Sequence, residues 1–160
     1  MSDNINRLYQ EAYRLSEKRL EVQLTSALAA DARAMAFAGI CLAAAAVLGG
    51  LAKDATSPIL LLSGAFLLGV AAFLAGYSAR PIDFHMPGAR FSDLAKDIKY
   101  NTEFEKVVAQ LGGFADKHSI QNDEKLNKNS KLFHAALFLA VIGVAVAVVP
   151  QLFDAILAVC

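Results

Sequence analysis

The chain has no tryptophan, only two cysteines and four prolines, and no net charge, its 15 basic residues matching 15 acidic ones over 160 positions. Each shortage excludes something. Cys41 sits inside an apolar run and Cys160 is the last residue. The pair is too few and too far apart for a disulfide framework or a zinc site, and both read as buried thiols. Zero net charge gives no global field to hold a polyanion, so no nucleic acid is expected as a partner. Catalytic motifs are missing as well: there is no His-Glu-x-x-His, Cys-x-x-Cys, glycine-rich phosphate loop or serine nucleophile motif. The three histidines fall in separate contexts, His85 in a loop, His118 on a polar helix and His134 at the edge of an apolar run. His118, close to Asp116, reads as part of a solvated face. His134 reads as a snorkelling or interhelical hydrogen-bonding residue rather than a proton relay. The expectation is no enzyme, no cofactor and no metal.

Apolar surface is what the chain has in excess. Hydrophobic residues make up 56% of it, and the mean hydropathy is +0.44. A domain this small has too little interior to hide them, so the surplus must face lipid or a large interface. Charge is missing from three stretches, Ala34 to Ala52, Pro58 to Ala79 and Leu132 to Val149. At about 1.5 Å per residue, each approaches or reaches the ~20 residues that cross a hydrocarbon core. The sequence therefore predicts an all-α membrane protein with three transmembrane helices. Residues 1–33 form a cytoplasmic N-terminal helix, 34–79 a transmembrane hairpin, 80–131 a helical cytoplasmic connector, 132–149 the third span and 150–160 an external or interfacial tail. That tail reads either as a helix lying along the headgroups or as a frayed extension of the third span.

The first run is not read as a signal peptide, because 33 residues precede it. Neither a Met-Gly start nor a cysteine four from the end signals lipidation. Between the first two spans lie only Lys53-Asp54-Ala55-Thr56-Ser57, with Ser57 as N-cap and Pro58 at the first helical position. Orientation follows from the basic residues. Five precede the first span, nine lie between Arg80 and Lys131, and Lys53 stands alone on the other side. The N-terminus and connector are thus expected in the cytoplasm and the C-terminus outside.

The N-terminal segment is helical by period, with Ile5, Leu8, Ala12, Leu15, Arg19 and Val22 at alternating steps of three and four. It reads either as a stalk packed on the connector or as an oligomerisation seam, which Arg19 weakens. With no glycine or proline between Ser2 and Gly39, it is expected to run unbroken into the first span. The connector opens with a turn-rich piece, Arg80 to Asp93. Ser92 then caps a helix carrying Leu94, Ala95, Ile98, Phe104, Val107, Val108 and Leu111, which Gly112-Gly113 should interrupt or kink. Phe114 to Lys131 reads as a helix feeding the third span.

The spans carry small residues at helical spacing. These are Ala34, Ala38, Cys41, Ala45 and Gly49 in the first, Ala65, Gly69, Ala72, Gly76 and Ala79 in the second, and Ala136, Ala140, Gly143 and Ala147 in the third. Membrane helices associate by close backbone approach, so such stripes point to packing within one protomer, between protomers, or both. The uncharged spans count against a pump, an ion-coupled transporter or a charged selectivity filter.

Two short motifs suggest a family. Ala30-Asp31-Ala32-Arg33-Ala34 resembles an Ala-Asp-Ala-Lys-Ala-like motif before a two-span hairpin, with arginine for lysine. Phe91-Ser92-Asp93-Leu94-Ala95 resembles a Phe-Gly-Asp-Ile-Ala-like turn, with serine for glycine. With the order of spans, these make the chain resemble the Pycsar transmembrane effectors and the related SLATT effectors of bacterial anti-phage signalling. The resemblance implies an inner-membrane homo-oligomer that compromises the membrane when a nucleotide-producing sensor detects infection. Its implied partners are the bilayer, further copies, and a cyclic nucleotide or a defence-system sensor protein. Arg33 can snorkel to headgroups, and Asp31 can pair with Arg80 or Arg90. Together with Asp93, these are the candidate ligand-binding residues. A membrane-anchored scaffold for a soluble partner and a holin-like protein are the rival readings.

Overall fold

A computed structural model describes residues 2–53, 55, 57–81, 83–89 and 91–159. Its elements are α1 (Ser2–Leu51), α2 (Pro58–Ser78), α3 (Phe91–Tyr100) and α4 (Phe104–Val159), and no strand occurs among the described residues. Three of the four, α1, α2 and α4, are long and apolar enough to cross a membrane.

The division expected from the sequence is corrected here. As expected, residues 2–33 run unbroken into the first span, but the fold class that set them apart as a cytoplasmic helix does not hold: α1 is one helix of 50 residues in a bundle of four, and this N-terminal helix is itself one of the three membrane-crossing candidates. The second half of the connector feeds the third span as expected, and the helix continues through the tail to Val159, 56 residues in all. The break foreseen at Gly112-Gly113 is absent. It falls instead at Asn101, whose φ of 48° is left-handed, between α3 and α4. Asparagine tolerates that conformation, whereas a helical glycine costs only about 1 kcal/mol, which packing readily offsets. Pro150 does not end α4 either, although it has no N–H for the ladder. Ser57 occupies the N-cap of α2 with Pro58 behind it, but its hydroxyl makes no capping hydrogen bond.

The chain divides into two compact units, Met1–Leu28 with Ile82–Asn127, and Ala29–Pro81 with Lys128–Cys160. The second unit holds the three uncharged stretches. Its core is built from small side chains: Ala38, Cys41, Leu68, Ala71, Ala72, Ala75, Ala136 and Ala140. Phe37 and Phe133 close one side of it, ring edge to face at 5.6 Å. The backbones of α2 and α4 approach closely at Gly64 and Gly143. A Cβ added at Gly64 would lie 2.7 Å from the Cβ of Ala147 and 2.7 Å from the carbonyl oxygen of Gly143. The large side chains point the other way, with Ile59 76%, Phe66 72% and Phe138 68% exposed. An inside of alanine and glycine with an outside of phenylalanine and isoleucine inverts a water-soluble domain and suits a lipid solvent.

The first unit is built in the opposite sense. Leu20, Ala27, Val108 and Ala115 are buried, and so are the polar Gln23, Ser119 and Asn122. The Gln23 amide donates to the carbonyl of Ser119 at 3.1 Å, to its hydroxyl at 3.0 Å and to Asp123 at 2.6 Å. Arg19 pairs with the same Asp123 at 3.0 Å. Here α1 and α4 are joined by a polar seam, which apolar helix faces alone would not specify.

Candidate functional site

A concavity lined by α1, α3 and α4 lies within the first unit. Helix periodicity places its lining: Tyr13, Glu17 and Leu20 recur at steps of four and three on α1, and Val107, Leu111, Phe114 and His118 do so on α4. Leu94 and Asp97 on α3, together with Met86 and Gly88 from the preceding loop, complete a cavity of about 460 Å³. Gly88 has a φ of +96°, which only glycine adopts without strain. The cavity shares Tyr13, Leu94, Asp97 and Leu111 with a neighbour of about 630 Å³ that reaches Phe104.

The loop before α3 is strapped to α4. Asn122, fully buried, accepts from the His85 N–H and donates to the His85 carbonyl, each at 3.1 Å. The Lys125 ammonium donates to the Asp83 carbonyl. The His85 ring lies flat on that of His118, with centroids 4.0 Å apart and planes 5° from parallel. The separate contexts read for these two histidines are therefore corrected: His118 is half-buried under His85 and not on a solvated face. Burial pushes the His118 pKa down, and the charges of His85 and Lys117 add to that. On α1, the Tyr13 phenol is pushed up, first by burial and then by the charge of Glu17, to which it is hydrogen-bonded.

The residues singled out from sequence are placed as follows. Asp31 is half-buried and its carboxyl is pushed up by burial alone, while Arg33 is exposed. The pairing of Asp31 with Arg80 is not made, because Arg80, just past the end of α2, turns back onto that helix, stacking 4.2 Å over the Tyr77 ring and bonding its hydroxyl. Arg90 lies outside the described residues, as does Cys160. Asp93 lines the cavity near its rim, with Ser92 donating to it at 3.4 Å.

Among the small residues, Ala38, Ala72, Ala140, Gly143 and Ala147 are buried, and Ala45 is half-buried against the same core. Gly69 and Gly76 are half-buried, and a Cβ at either would meet nothing within 4 Å. On α2 the close approach belongs to Gly64, which sequence reasoning passed over because the alternation counted from Ala65 is one residue out of phase. His134 bonds the carbonyl of Ser130 on its own helix at 2.7 Å. Among the described residues no three potential metal ligands come together. Compared with protein-family models, curated proteins and solved structures, the chain matches none, and the reading of its function rests on its own residues.

Proposed function

We propose that the chain is a bacterial inner-membrane effector of a nucleotide-signalled anti-phage system. In this reading its spans associate with those of further copies and breach the membrane, and the unit at 1–28 and 82–127 receives the signal. The observation that carries it is the inverted second unit, whose uncharged helices bury alanine and glycine and turn phenylalanine and isoleucine outward. That surface needs lipid or more helices. The family resemblance supplies the defence setting. The count of basic residues places the N-terminus inside and the C-terminus outside.

The signal we favour is a sensor protein and not a cyclic nucleotide. Glu17 and Asp97 line the cavity of the first unit, with no lysine or arginine among its described lining residues, and such walls repel phosphate. The scaffold reading draws on the same unit, where Leu8, Leu15 and Val22 are exposed on α1. Raised expression in bacteria under phage challenge, followed with a potential-sensitive dye, separates the two. The effector depolarises cells and cross-links to itself through its spans. Unchanged potential and growth, with capture of another protein alone, contradicts the effector and supports the scaffold.

A further inference from the structure

The cavity of the first unit has a floor and walls of different character. Leu20 and Leu111 give an apolar floor, the exposed Phe114 an aromatic edge, and Tyr13 a second aromatic ring. The ionised groups around them have one sign. Glu17 on α1 and Asp97 on α3, both half-buried, stand on two different elements. Tyr13 and His118 are further titratable lining residues, and burial lowers the basicity of His118. At about 460 Å³ the space falls in the range of ~300–1,000 Å³ that holds small organic ligands.

From this we infer that the groove binds a small organic ammonium ion carrying an aromatic or branched apolar body. An anion would meet two carboxylates in a half-desolvated site, and a neutral apolar molecule would bury Asp97 without compensation and Glu17 with only the Tyr13 hydroxyl as partner. A hydrated inorganic cation would leave the apolar floor unused. An ammonium group in the groove offsets the charge of Glu17 and Asp97, while its body covers Leu111 and Phe114, with the ring of Tyr13 available for a cation–π contact. The inference concerns the groove alone and holds whether or not the spans breach a membrane.

Tryptamine, indole-3-propionate and 3-ethylindole serve as probes, since they share a ring and differ in charge. Binding of each to the full chain in zwitterionic nanodiscs is measured by calorimetry against empty discs. Tryptamine should bind saturably and about tenfold or more tighter than either analogue, the scale set by a charge-assisted hydrogen bond. Its affinity should fall as salt rises, a readout that needs no variant. E17Q/D97N should lose that preference while keeping the helical content of the parent. Equal binding of the three probes, binding no greater than to empty discs, or a salt-independent affinity overturns the proposal. A folded E17Q/D97N protein that still prefers tryptamine also overturns it.

Discussion

At the scale of single residues, the glycines divide by what surrounds them. Gly64 and Gly143 hold α2 and α4 in contact, so Gly64→Val forces methyl groups against backbone that cannot move aside. The expected loss is about 1–3 kcal/mol, the usual cost of overpacking. Gly69→Ala and Gly76→Ala meet open space and should be neutral or slightly stabilising to the protomer, alanine being the better helix former. Unfolding in detergent mixtures compares the three. Asn122→Ala strips the His85 backbone of a donor and an acceptor at once. It should cost about 1–3 kcal/mol and raise amide exchange across residues 83–89 before it affects α2.

His118 gives a pH dependence whose sign is fixed. Its folded pKa lies below the unfolded value of 6.5, so the unfolded chain binds the proton more tightly. The first unit should be at full stability above pH 6.5 and lose stability as the pH falls through the depressed folded pKa. His118→Gln removes this contribution, which denaturation curves between pH 5 and pH 8 would register as a flatter profile.

At the scale of elements, periodicity revealed the helices but not which face each one uses. On α1 the row Ile5, Leu8, Leu15 and Val22 has the spacing of a packing seam, yet Leu8 is 63% and Leu15 53% exposed. The buried row is Leu20, Gln23 and Ala27, in which a glutamine replaces the hydrophobe that a pattern search expects. Leu20→Ala should therefore cost about 2–5 kcal/mol and Leu15→Ala well under half of that, as chemical unfolding would measure. The apolar runs of the spans were legible because lipid admits no charge, so each run marks itself by an absence. The cavity was not. Tyr13, Asp97, Gln110 and His118 are ordinary polar residues of amphipathic helices and acquire a shared site only through tertiary contact. The bond from Asn122 to His85 joins residues 37 positions apart with no motif at either end.

At the scale of the whole molecule, the length of the uncharged runs sets what the chain can do. Ala34 to Leu51 and Leu132 to Val149 each rise about 27 Å and α2 about 32 Å, against a hydrocarbon core of about 30 Å. In the topology we propose, three crossings put residues 1–33 and the segment after Val149 on opposite sides, with the basic residues at 1–33 and 80–131 on the inner one.

Labelling of single cysteines in intact cells with an impermeant maleimide tests this most directly, using the Cys41→Ala background. The account predicts that native Cys160, and a cysteine placed at Lys53 in chains whose Cys160 is replaced, react from outside. Cysteines placed at Ser2 and Asn127 in that same background should react only after lysis. Labelling of both ends from one side, or a chain that stays in solution without detergent, would contradict it.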